Sequence, residues 1–111
     1  MAISPEEWIR QADYDIDTAE FMHKGGRQFY AVFMCHLSLE KGLKGLYWKK
    51  LNQIPAKSHH LPSLVTKIGL NPPDEMLDFI TKLNEAQIFA RYPDSRKKHR
   101  EISLLQLSRR Y

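Results

Sequence analysis

The residues best equipped for chemistry fall in three stretches. The densest is Ala90-Arg91-Tyr92-Pro93-Asp94-Ser95-Arg96-Lys97-Lys98-His99-Arg100. Arg91 and Tyr92 set a planar cation and a phenol just before a proline, which steers the preceding residue away from helical geometry. A guanidinium suits bidentate contact with phosphate, and Arg96, Lys97, Lys98 and Arg100 add a basic cluster. The ordinary alternative is a solvated basic helix start, with Arg91 paired to an acid such as Glu40 or Asp94. Cations in a first helical turn oppose the helix dipole, and that mismatch favours a ligand. The second stretch holds Glu40, Lys41 and Lys44. Glu40 precedes Lys44 by one helical turn, the favourable order for an ion pair. With Lys49 and Lys50, the two lysines also form a basic run that either meets phosphate or complements a helix C-terminus. The third stretch is Lys57-Ser58-His59-His60-Leu61. Ser58 or His59 can cap the helix that follows. A histidine at a helix start often serves merely as a hydrogen-bonding partner, and it can also act as acid, base or phosphate donor.

Other chemistries find little support. His59 and His60 are adjacent, so their side chains diverge on any regular element, while His23, His36 and His99 are isolated. HExxH and the Cys/His spacings of zinc sites do not occur. Neither a metal nor a cofactor is expected. Gly25-Gly26 lacks the preceding strand and the Gly-Lys-Ser/Thr of a phosphate loop. Cys35 sits among apolar residues and reads as a small buried hydrophobe rather than a nucleophile.

The elements that must position these residues are helical almost throughout. Ser4-Pro5-Glu6-Glu7 combines an N-cap, a proline at the first helical position and a glutamate three residues after the cap. Trp8, Ala12, Ile16, Ala19 and Met22 then recur at helical spacing up to Gly25-Gly26, which end the helix. A second helix runs from about Arg27 to Leu51. It is apolar on most sides in its first half, as expected of the centre of a bundle or of a helix facing both a core and a partner subunit. Gly42 and Gly45 either serve close approach of another helix or are tolerated imperfections among good helix formers. A short helix around His60 to Ile68 presents Leu61, Leu64, Val65 and Ile68. A fourth, from Asn71-Pro72-Pro73-Asp74 to about Ala90, turns Met76, Leu77, Ile80 and Leu83 inward, with Ala86 or Phe89. After Pro93, Asp94 or Ser95 can cap a last helix bearing Ile102, Leu104, Leu105 and Leu107. The expected fold is all-α: one domain over residues 1–111, an antiparallel up-and-down bundle of four main helices plus a short one.

Composition agrees. At 111 residues with 42% hydrophobic and 27% charged residues, the chain suits one self-sufficient domain without disulfides, since it holds a single cysteine. No apolar run approaches the ~20 residues that span a bilayer. The N-terminus lacks the basic and apolar regions of a signal peptide, so a cytoplasmic location is expected. The balance of 17 Lys plus Arg against 13 Asp plus Glu, net +4, permits a polyanionic partner without demonstrating one.

Four segments, in order, resemble the HEPN domain family (higher eukaryote and prokaryote nucleotide-binding). Trp8-Ile9-Arg10-Gln11-Ala12-Asp13-Tyr14-Asp15 is similar to its opening. His36-Leu37-Ser38-Leu39-Glu40-Lys41-Gly42-Leu43-Lys44 is similar to its second-helix signature. Lys57-Ser58-His59-His60-Leu61 resembles its Lys-Thr-His-Asp-Leu segment, with Ser58 for threonine and His60 for aspartate. Ala90-Arg91-Tyr92-Pro93-Asp94 matches its Ala-Arg-Tyr-Pro-Asp motif. The resemblance implies a helical bundle that dimerises, here through the apolar face of the second helix. It also implies a nucleotide- or RNA-binding role beside a small nucleotidyltransferase, in a toxin–antitoxin-like pair. Lys41, Lys44, His59, Arg91 and Tyr92 would share one cleft, Arg91 gripping phosphate, Tyr92 stacking or hydrogen-bonding and His59 orienting them. Some family members are metal-independent ribonucleases with an arginine followed, after about four to six intervening residues, by histidine. Here seven residues separate Arg91 from His99, and two separate Arg96 from His99. The expectation is therefore binding rather than catalysis. A ribonuclease using His99 with Arg91 or Arg96, and a structural interaction protein without a small ligand, stand as alternatives.

Overall fold

A computed structural model describes residues 4–55 and 57–91, with side chains to residue 87. It contains four helices and, among the described residues, no strand: α1 (Pro5–Lys24), α2 (Gln28–Leu51), α3 (Leu61–Ile68) and α4 (Asp74–Arg91). The segment expected to form a last helix, with Ile102, Leu104, Leu105 and Leu107, lies outside the described residues.

The start of α1 follows its sequence signature. Ser4 Oγ accepts a hydrogen bond from the Glu7 backbone N–H at 3.1 Å, Pro5 opens the helix, and Glu6 and Glu7 face the positive end of its dipole. At the other end Gly25 caps α1 with an ordinary φ of −84°, while the left-handed residue is Gly26 at +78°. The reversal returns α2 alongside α1 in the opposite direction: His23 meets Gln28, Ser38 Oγ donates to the Ala12 carbonyl at 2.7 Å, and Gly45 lies against Trp8 and Ile9. The two expected glycines differ in use. A Cβ on Gly45 would fall 2.9 Å from Ile9 Cγ1, 3.0 Å from the Pro5 carbonyl oxygen and 3.2 Å from Trp8 Cβ, whereas one on Gly42 would meet Ala12 Cβ at 3.8 Å. Gly45 is therefore the point of closest approach, and Gly42 leaves room for a methyl group.

α2 is the central element, packing against α1, α3 and α4, while the Cα atoms of α1 and α4 stay more than 8 Å apart. Leu61, Leu64, Val65 and Ile68 of α3 are all buried, as their spacing predicts, and with Val32, Leu43, Ile80, Leu83 and Ala86 they form the core. Three expected core positions differ. Met76 and Leu77 are 54% and 39% exposed, because they precede the stretch from Phe79 to Gln87 through which α4 is buried. Ile16 is 46% exposed, and the buried position beside it is Asp15, which pairs with Lys41 of α2. The cap of α3 is His60, not Ser58 or His59: its ring accepts from the Ser63 N–H at 3.2 Å. Ser58 Oγ instead accepts from the His60 N–H, bracing the approach to the helix.

The glycine geometry makes opposite predictions for two similar substitutions. Gly42→Ala should stabilise the fold by up to about 1 kcal/mol, the helix-propensity gain over glycine. Gly45→Ala should destabilise it by about 1–3 kcal/mol through overpacking. Urea unfolding monitored by circular dichroism measures both.

Candidate functional site

The middle of α2 carries a buried carboxylate. Glu40 is 4% exposed, and a lysine and a histidine converge on it. Lys44, one turn later and also buried, places Nζ 2.9 Å from Glu40 Oε2. His59, from the loop after α2, places Nδ1 2.9 and 3.0 Å from the two carboxylate oxygens. His36, one turn earlier, lies at 3.8 Å from Oε1. The Lys44 ammonium also sits 5.6 Å from the centroid of the Trp8 ring on α1, an attractive cation–π contact. Burying charge is unfavourable unless it is paired and hydrogen-bonded, and this arrangement meets that requirement for Glu40 and Lys44 together.

The loop that delivers His59 is held from both sides. Pro55 is buried at its start, and Leu61 is buried at its end, where its backbone N–H donates to Asn84 Oδ1 of α4 at 3.0 Å. His59 is thus fixed through its ring by α2 and, two residues on, through the backbone by α4. A carboxylate can only accept, so His59 Nδ1 is the donor. The His59 side chain remains 65% exposed, which leaves its other edge open. In the neutral ring Nε2 is an acceptor or base; in the protonated ring it is a cationic donor suited to phosphate.

Lys41 follows Glu40 in sequence but turns toward α1. Its ammonium lies 2.9 Å from buried Asp15 Oδ2, an ion pair. Of the residues expected to share a cleft, Lys44 and His59 meet on Glu40, and Lys41 sits beside them in an ion pair of its own. Arg91 ends α4, but its side chain, like Tyr92, Arg96 and His99, lies outside the described residues. Sequence reasoning named Glu40 only as an ion-pair partner, of Lys44 or of Arg91, and not as the acceptor for His59. It missed Asp15, Trp8 and Asn84. The signal for Asn84 was a polar residue beside Leu83, between Ile80 and Gln87 on the stripe of α4 that faces the core.

No metal-binding group of three or more His, Cys, Asp or Glu occurs among the described residues. Nor is any helix among them long and apolar enough to cross a membrane. Burial raises the Cys35 thiol above its ordinary pKa, which disfavours the reactive thiolate at neutral pH.

The HEPN domain profile matches residues 5–106. The chain belongs to the HEPN domain family. The match runs through all four helices, so the Glu40 cluster and the loop bearing His59 are parts of the HEPN domain itself. No curated protein and no solved structure matches the chain.

In this HEPN domain, removing the carboxylate should be far more damaging than removing the pair. Glu40→Ala strands a buried lysine and should lower stability by about 3–5 kcal/mol. Adding Lys44→Met should restore most of that loss, and equilibrium urea titrations of the single and double variants read the difference. Asn84→Ala, which leaves the buried Leu61 N–H without its acceptor, should lower stability by about 1–3 kcal/mol in the same assay.

Proposed function

We propose that this HEPN domain is a nucleotide- or RNA-binding module that acts as a homodimer beside a small nucleotidyltransferase. The observation that carries the reading is His59, clamped by buried Glu40 through Nδ1 and open on its other side. A buried carboxylate that aims an exposed imidazole outward is pre-organised for an anionic group. Lys44 and Lys41 support the site from within by holding Glu40 and Asp15 in place, and the direct phosphate contacts fall to His59, Arg91 and the basic residues from Arg96 to Arg100. Tyr92 supplies the aromatic face for a base. The net charge of +4 favours encounter with a polyanion.

Dimerisation is supported by the side of α2 that α1, α3 and α4 leave uncovered. Tyr30 is 59% exposed, and Met34 and Leu37 are only half-buried. These residues recur at helical spacing along one stripe, the pattern of a face suited to another helix.

Fluorescence anisotropy with labelled single-stranded RNA in excess chelator tests the proposal. Arg91→Ala should weaken binding about tenfold or more with an almost unchanged Tm, and His59→Ala should weaken it by a similar factor. Binding should fall steeply with salt. Affinity unaltered by either substitution would refute the assignment. Cleavage lost in His99→Ala would replace binding with ribonuclease activity.

A further inference from the structure

Two neighbouring imidazoles are held with their protons on opposite sides. His59 Nδ1 lies 2.9 and 3.0 Å from the two oxygens of Glu40, which can only accept. In the neutral ring the proton is therefore on Nδ1, and Nε2 carries a bare lone pair. His60 is the reverse. Its Nδ1 accepts from the Ser63 backbone N–H at 3.2 Å and lies 2.7 Å from Ser63 Oγ. Its neutral ring carries the proton on Nε2 and shows solvent no lone pair. The other described histidines differ again. His36 is 2% exposed and out of reach of solutes. His23 is exposed, but its Nδ1 meets the neutral amide oxygen of Gln28 at 2.9 Å rather than a carboxylate. A carboxylate behind a histidine fixes its tautomer and stabilises the positive charge the ring acquires, and an imidazole so placed is a nucleophile. We propose that His59 is a phosphoryl-acceptor site, modified at Nε2 by a phosphoryl donor of the acyl phosphate or phosphoramidate class.

In this step the Nε2 lone pair attacks phosphorus. An N–P bond forms while the donor's P–O or P–N bond breaks, and that bond's electron pair leaves with the carboxylate or with ammonia. The ring becomes positive as the N–P bond forms, and Glu40 faces that charge across the Nδ1–H hydrogen bond. No proton has to leave the ring. The side chain is 65% exposed, so the donor can reach Nε2. Lys44 holds Glu40 from within α2, and the Leu61 N–H on Asn84 holds the loop, so the ring is presented without rearrangement. Glu40 is thus a positioning residue for His59. A phosphoryl group on Nε2 adds negative charge where the proposed anionic ligand would bind, so modification would oppose that binding. The inference uses the same clamp as the binding reading, yet its test needs no RNA, so each can fail alone.

The purified protein is incubated with potassium phosphoramidate in excess chelator, sampled over time and mapped by tandem mass spectrometry under conditions that spare phosphohistidine. The first phosphoryl group should be on His59, labile to acid and lost in His59→Ala. It should accumulate there about tenfold or more faster than on His23 of the same molecules. His23 is an internal control, since loss of structure would bring the histidines to similar rates. Glu40→Gln combined with Lys44→Met strands no buried lysine. It should bring the His59 rate down to about that of His23, with helical circular dichroism retained. Equal rates at His59 and His23 in the unsubstituted protein, a first phosphoryl group on any other residue, or an unchanged His59-to-His23 ratio in the folded double variant would overturn the proposal.

Discussion

A carboxylate buried in the middle of the longest helix obliges its surroundings to supply positive charge and hydrogen-bond donors. Glu40 is that constraint here. Lys44 meets it from the same helix, and its ammonium is in turn covered by Trp8, so α1 is drawn into the same cluster. His59 meets it from the loop after α2, which is also anchored by buried Pro55 and Leu61. The loop's return then sets where α3 begins, and Asn84 extends the arrangement to α4. One acidic side chain thereby links all the elements that an apolar core alone would hold less specifically. A buried ion pair is weak evidence of added stability, because well-packed apolar replacements of both partners are often neutral or stabilising.

The α1–α2 pair provides the rigid frame for that cluster. Its closest approach is at Gly45. Polar contacts continue along the interface through the Ser38 hydroxyl on the Ala12 carbonyl and the Lys41–Asp15 ion pair. The two lysines of the second-helix signature are therefore committed inward, each to a different acid. What is left outward is the imidazole of His59, and this division between neutralised interior and exposed ring is what a binding role would use.

Helix boundaries were legible in the sequence because their signals are local. Ser4-Pro5-Glu6-Glu7, Gly25-Gly26 and the apolar spacing of α3 each act over a few residues, and the observed ends fall within one to three residues of the expected ones. The Glu40–Lys44 pair was legible for the same reason, being one turn apart on one helix. What escaped was long-range. Whether Ile16 or Asp15 is buried depends on where Lys41 lies across the interface, and Met76 and Leu77 are exposed because α4 begins before its partners do. That His60 rather than His59 caps α3 follows from His59 being claimed by Glu40, nineteen residues earlier in the chain. The family resemblance grouped Lys44 with His59 but did not name Glu40, the residue on which the two meet.

The account rests on Glu40 holding the His59 ring by Nδ1. Long-range proton–nitrogen NMR correlation of the histidine side chains tests this most directly. Neutral His59 should carry its proton on Nδ1, the less common tautomer for a solvated histidine, and should revert to the Nε2–H form in Glu40→Gln. An Nε2–H tautomer for His59 in the unsubstituted protein would contradict the clamp and, with it, the site built on it.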